Sequence, residues 1–217
     1  MGILSKTLKI GWTSGLIFIL LVMTAEAASD SFAKEFLAET NLARTQPRRY
    51  AGYLQELRKQ FVGKNYRIQG SAALVRTSEG VAAVDEGIRF LSKQAPVPPL
   101  AWSQGLAYAA ADLVGDQGKT GELGHQGSTS GDMQARIERH GSWSKRIAEN
   151  IGYGPSKARL MVISLIVDDG VPGRGHRTNI FTPSLQVAGA ACGSHPVYRN
   201  MCVMDFAGGY KSGGKRL

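Results

Sequence analysis

Few residues in this sequence are suited to chemistry. It has only four histidines, and two of them, His125 in GHQG and His176 in GRGHR, sit beside glycines that leave an imidazole unshielded. Glu149, in AENIGYG, is an acid set among apolar residues, and Asp168 and Asp169 close an apolar helical run. Carboxylates at a helix C-terminus meet the negative end of the helix dipole and need an offsetting partner. A protonated imidazole or a metal ion would supply one. Two imidazoles and two carboxylates lining one cleft can bind zinc, since both are accepted ligands. They can equally form a neutral hydrogen-bonded cluster. Spacing does not decide, because His125 and His176 are far apart and there is no HExxH or paired CxxC. His140, at a helix end, and His195, in a turn, read as structural.

Other chemistries find little support. The nearest string to G-x-S-x-G is GSTSG, with Thr at its centre, and GYGPSK lacks the P-loop pattern. Cys192 and Cys202 lie in two short apolar runs, QVAGAAC and MCVMDFAG, separated by turn-forming residues. They read either as a bridge across two antiparallel strands or as two buried thiols, and export, argued below, favours the bridge.

The elements that must carry these residues follow from periodicity. Ser29 or Asp30 can cap a helix with Phe32, Phe36, Leu37 and Thr40 on one face, ended by Pro47. Tyr50–Phe61 reads as a second helix, Gly63–Thr77 as polar and irregular, and Ser78 opens a third helix stopped by the prolines at 96, 98 and 99. An Ala-rich helix spans Trp102–Val114, followed by a loop from Gly115 to Gly131 that holds His125. A short helix over Asp132–His140, a strand over Lys145–Tyr153, a helix over Ser156–Val167 and a loop over Asp168–Arg177 come next. Two strands around the cysteines close the domain. Helices first and a small antiparallel sheet late indicate one α+β layered domain.

Composition agrees with one domain. The chain has 217 residues, 43% of them hydrophobic and 20% charged, which suits a packed core and excludes a disordered or collagenous chain. Lys6 and Lys9, the apolar run Leu16–Met23 and the Ala25-Glu26-Ala27 tripeptide have the form of a secretory leader over residues 1–27. The domain is then expected over residues 28–209, with a flexible Gly/Lys tail over 210–217. The expected location is extracellular or periplasmic. The net charge is +9, and the stretch Arg44–Arg76 holds eight basic residues against one acid, Glu56. It is either an attraction to anionic envelope polymers or lipid headgroups or a solvated surface. Nucleic acid is not an expected partner, because no recognition module is present.

Taken in order, AENI with Gly152, the upstream GHQG and the downstream GRGHRTNIF resemble the CAP superfamily of cysteine-rich secretory proteins, antigen 5 and class-one pathogenesis-related proteins. ETNLARTQP with Tyr50-Ala51, Pro99-Leu100-Ala101-Trp102, VAGAACGSHPVY and MCVMDFAG extend the resemblance over roughly Phe32 to Gly209. It implies a three-layer α-β-α sandwich around a cleft holding two histidines and two acids. His125, Glu149 and His176 match three of them. The fourth, usually a Glu after a Trp, falls on Asp168 or Asp169, with Leu165 at the Trp position. The resemblance further implies a divalent cation, zinc for example, on His125 and His176, and either a bound lipid or other small molecule or a role as an interaction module. A zinc-dependent hydrolase of peptides or esters with Glu149 as general base is the alternative.

Overall fold

The computed structural model describes residues 13–67 and 74–213, with side chains from Ser29 onward. The leader expected over residues 1–27 therefore falls on positions that lie outside the described residues or whose side chains do. In chain order the elements are α1 (Thr13–Thr45), α2 (Pro47–Arg58), β1 (Phe61–Val62), β2 (Asn65–Arg67), β3 (Leu74–Arg76), α3 (Val81–Lys93) and β4 (Ala101–Trp102). They continue with α4 (Gln104–Thr120), α5 (Met133–His140), β5 (Gly141–Tyr153), α6 (Ala158–Val167), α7 (Gly175–Phe181), β6 (Val187–His195) and β7 (Arg199–Ser212).

The central sheet has the order β4-β6-β7-β5. Its long pairs, β6 with β7 and β5 with β7, are antiparallel as expected, but the short β4 runs parallel to β6. Side chains alternate across the sheet. Ala148, Ala188, Ala190, Met204 and Phe206 meet Phe36, Leu54, Val84, Met161 and Ile180 from the helical layer of α1, α2, α3, α6 and α7. Ile151, Val203 and Ala207 face α4 and α5 through Leu106, Ala110, Leu113 and Ile137. The result is the three-layer α-β-α sandwich. Its α6, ARLMVISLIV, is apolar on most sides, only Arg159 and Ser164 being exposed, because most of its surface is buried.

The stretch Gly63–Thr77, expected to be irregular, instead contributes to a small antiparallel sheet of β1, β2 and β3, whose Phe61, Tyr66 and Val75 align on one face. Strands of two or three residues are too short to leave a period in the sequence. The Ala-rich helix also runs past Val114 to Thr120. A Cβ at Gly118 would lie 3.0 Å from the Ser194 carbonyl, so this glycine admits the β6–β7 hairpin rather than breaking the helix. α7 begins inside the expected loop over Asp168–Arg177. The expected tail begins later than residue 210, since Tyr210, Lys211 and Ser212 pair with Trp143, Ser142 and Gly141.

Cys192 and Cys202 are direct cross-strand partners, with Cα atoms 4.1 Å apart, and form a disulfide. The Ser29 hydroxyl donates to the Cys192 carbonyl and ties α1 to the same strand. Among the described residues no helix is long and apolar enough to cross a membrane.

Candidate functional site

The loop that presents His125 is fixed from beneath. Asp116 on α4 accepts from the Thr129 and Ser130 backbone N–H groups and from the Ser128 and Ser130 hydroxyls. The Ser130 and Thr129 amides hold its carboxyl well below the usual aspartate range. A Cβ at Gly127 would fall 2.5 Å from the Asp116 carboxylate, so only glycine fits that turn. Arg136 on α5 donates to the His125 carbonyl (3.1 Å) and the Gly131 carbonyl (2.5 Å). Asp132 caps α5 by accepting from the Ala135 N–H, which sets the helix that carries Arg136.

Glu149 projects from β5 into this layer. Its two carboxylate oxygens are bound by the His125 ring at Nδ1 (2.7 Å) and by the Arg136 guanidinium (2.6 Å). The Glu149 and Arg136 side chains are fully buried, whereas His125 is 58% exposed. A carboxylate only accepts, so Nδ1 of His125 carries the proton. The ring's Nε2 has no hydrogen bond among the described residues.

A second pair has the same form. Asp168 ends α6 in the left-handed region (φ 53°), which turns its side chain away from the α6 terminus. Its carboxylate accepts from the His176 ring at Nδ1 (2.6 Å) and from the His176 backbone N–H (3.0 Å). The acid that was expected to need a partner after α6 therefore finds one in His176 at the start of α7, where the dipole favours it. Asp168 is buried and His176 partly exposed. Asp169, the other candidate, lies elsewhere, accepting from the Ser78 and Glu79 backbone N–H groups. Arg174 steadies this loop by donating to the Asp168 carbonyl and by a paired contact to Glu79, which lowers the Glu79 carboxyl to about 2.

The two pairs are joined through adjacent residues of the sheet's edge strand. Glu149 faces α5, and Asn150, on the opposite face of β5, donates to the His176 carbonyl (3.0 Å). Asn179 on α7 donates to the Asn150 side chain (2.9 Å) and weakly to the Glu149 carbonyl (3.4 Å). Sequence reasoning missed Arg136, Asn150 and Asn179: Glu149 lies 13 positions from Arg136 and the partners of the two asparagines lie 26 or more positions away, so they leave no local pattern. Asp205, fully buried directly across from Glu149, was missed too. Its visible signal was a lone acid in the apolar run MCVMDFAG.

His195 and His140 are held by structural contacts. His195 rivets the β6–β7 hairpin by accepting from the Val197 and Tyr198 N–H groups and contacting the Glu122 carbonyl. His140 contacts Asp112 on α4 at 2.9 Å.

Residues 37–206 match the family described as CAP, the cysteine-rich secretory protein family. The chain belongs to the CAP family. Among solved structures it is similar to an extracellular protein containing an SCP domain from Bacillus anthracis, with TM-score 0.42 and 19% identity over 59% of this chain and 38% of that one. It is also similar to an outer surface protein from Borrelia burgdorferi, with TM-score 0.43 and 14% identity over 51% of this chain and 78% of that one. The chain thus spans well under half the length of the Bacillus protein. No curated protein matches it.

The CAP resemblance implies a divalent cation on His125 and His176. The outward Nε2 atoms of His125 and His176 are chemically suitable donors. Among the described residues, however, no three His, Cys, Asp or Glu side chains gather in a way that could hold a metal ion. Zinc centres usually take three or four protein ligands, and the two imidazoles alone would supply two.

The basic stretch of the CAP domain is also less available than its composition implies. Arg44 is fully buried, donating to the Pro98, Ile180, Thr182 and Leu185 carbonyls. Arg58 is paired with Asp85 and Lys59 with Glu56. Arg48, Arg49, Lys64, Arg67 and Arg76 are exposed.

Proposed function

We propose that this CAP protein is an exported binding module. In this reading the His125–Glu149 and Asp168–His176 pairs present two imidazole Nε2 atoms to a small molecule or to the polar head of a lipid. The observation that carries the reading is the burial of both acids behind their own partners. Each oxygen of Glu149 and of Asp168 already accepts a hydrogen bond and neither side chain faces solvent, so neither carboxylate is placed to take a proton from a solvent water. That weighs against the alternative, a hydrolase with Glu149 as general base. Two oriented rings, one on the loop before α5 and one in the first turn of α7, suit recognition of hydroxyl or amine donors. Export is supported by the leader-like start and by a disulfide of the kind that persists in oxidising compartments. The exposed remainder of the Arg44–Arg76 stretch would then draw the protein toward an anionic envelope surface.

The test is mass spectrometry of small molecules and lipids extracted from purified protein, run for the wild type and the His125→Ala/His176→Ala variant. A compound retained by the wild type and absent from the folded variant is the expected result. Equal retention by both, or none by either, would remove the reading. Should a hydrolysed substrate be found, full turnover in Glu149→Gln would still exclude Glu149 as its base.

A further inference from the structure

Asp205 lies in the middle strand β7, with Glu149 directly opposite on β5 and Gly189 on β6. Strand alternation puts it on the face that carries Val203 and Ala207, under α4 and α5. The residue is fully buried, and neither carboxyl oxygen receives an N–H or O–H from the described residues. Arg136, the nearby cation, already spends one terminal nitrogen on Glu149 and the other on the His125 and Gly131 carbonyls, and its Nε is also unpartnered.

The charged and titratable groups facing Asp205 are few. They are Glu149 from β5, Arg136 from α5, Asp112 from α4 and Tyr210 on its own strand, while Gly189 on β6 contributes no side chain. Two acids oppose each other in a buried layer beside a single guanidinium. A second carboxylate there would be an uncompensated buried charge. A carboxylic acid, by contrast, brings its own donor, and Glu149 is the acceptor facing it. Burial and then the Glu149 charge raise the Asp205 carboxyl well above the usual aspartate range, against a smaller lowering by Arg136.

Building on the binding role proposed for His125, we infer that Asp205 is a further positioning residue of this site, a neutral carboxylic acid that donates its proton to Glu149. Arg136, Glu149 and Asp205 then sum to zero charge beneath His125. A neutral ring protonated on Nδ1 has an accepting Nε2, so the ligand must bring a donor there, such as a hydroxyl or an amine. An ionised Asp205 would leave the cluster at minus one beneath the same ring.

Linkage gives the test. A buried neutral acid holds its proton in the folded state, while the unfolded chain releases it above about pH 4. Wild-type stability should therefore carry a penalty that grows with pH. Asp205→Asn keeps the shape and an N–H donor but cannot ionise in either state. Urea unfolding of both proteins between pH 4.5 and 7.5 should show the ratio of folding constants, variant over wild type, rising about tenfold per pH unit. A flat or falling ratio overturns the inference. If the variant does not fold, the carboxyl ¹³C resonance of wild-type Asp205 decides. At neutral pH it should keep the shift of a protonated acid, and titration with the ordinary aspartates overturns the inference. Neither measurement uses a ligand, so failure of the binding role is read separately.

Discussion

Arg136 and Glu149 form an ion pair of 2.6 Å in which neither side chain is reached by solvent. The pair spans two elements, α5 and the edge strand β5, and one of its members also orients His125. Burial makes it costly to break from one side only.

Arg136→Met should therefore destabilise the protein by about 3–5 kcal/mol in urea unfolding, because Glu149 is left buried and charged without its cation. Glu149→Gln in the same background should recover part of that loss. Additive losses in the double variant would mean that the pair is not coupled.

Asp116 provides an acid-side prediction. Its folded carboxyl is depressed by the Ser130 and Thr129 amides, so its stabilisation is present above the unfolded value and is lost as pH falls. Asp116→Asn should melt lower than the wild type by roughly a few degrees at pH 7. The gap should narrow once pH drops below about 4. A gap that widened in acid would contradict the assignment.

Gly189 tests the packing of α4 on the sheet. An added Cβ would lie 2.1 Å from the Ala107 nitrogen and 2.5 Å from the Ser103 carbonyl oxygen, both backbone atoms that cannot step aside. Gly189→Ala should cost about 3 kcal/mol or more, seen as a lower urea midpoint or a failure to fold. Gly115→Ala, with nothing within 4 Å of the new Cβ, is the matched control and should retain wild-type stability.

Reduction of Cys192–Cys202 opens a loop of 10 positions inside a hairpin that is already paired. The reduced protein should stay folded and lose about 2–3 kcal/mol in urea unfolding. Complete unfolding on mild reduction would mean that the closing strands depend on the bond for their register.

Much of the fold was legible because long elements leave a period. Phe32, Phe36, Leu37 and Thr40 marked a helix face, and the apolar run before Asp168 marked α6. The three short strands between Phe61 and Arg76 left none. The stretch from Gly115 read as loop although α4 runs on to Thr120, because the reason for Gly118, the approach of the Ser194 carbonyl, lies 76 positions away. At the site, the dipole argument correctly demanded a partner for an acid after α6. It could not foresee that a left-handed turn at Asp168 would aim the acid at the start of α7. Arg136 looked like any exposed helical arginine, since nothing local shows that α5 presses its face onto β5.

The edge strand carries a further constraint, on how the gene can change in length. Glu149 serves the layer of α5, and Asn150 the layer of α7. One codon inserted between Ile147 and Glu149 would send each side chain to the other's layer and dismantle both imidazole supports at once. The register irregularity between Ser144 and Ile147, where Lys145 takes φ 70°, already absorbs an odd residue count. Descendants of this sequence can therefore gain or lose a residue near Lys145, while AENI must be inherited as an intact block.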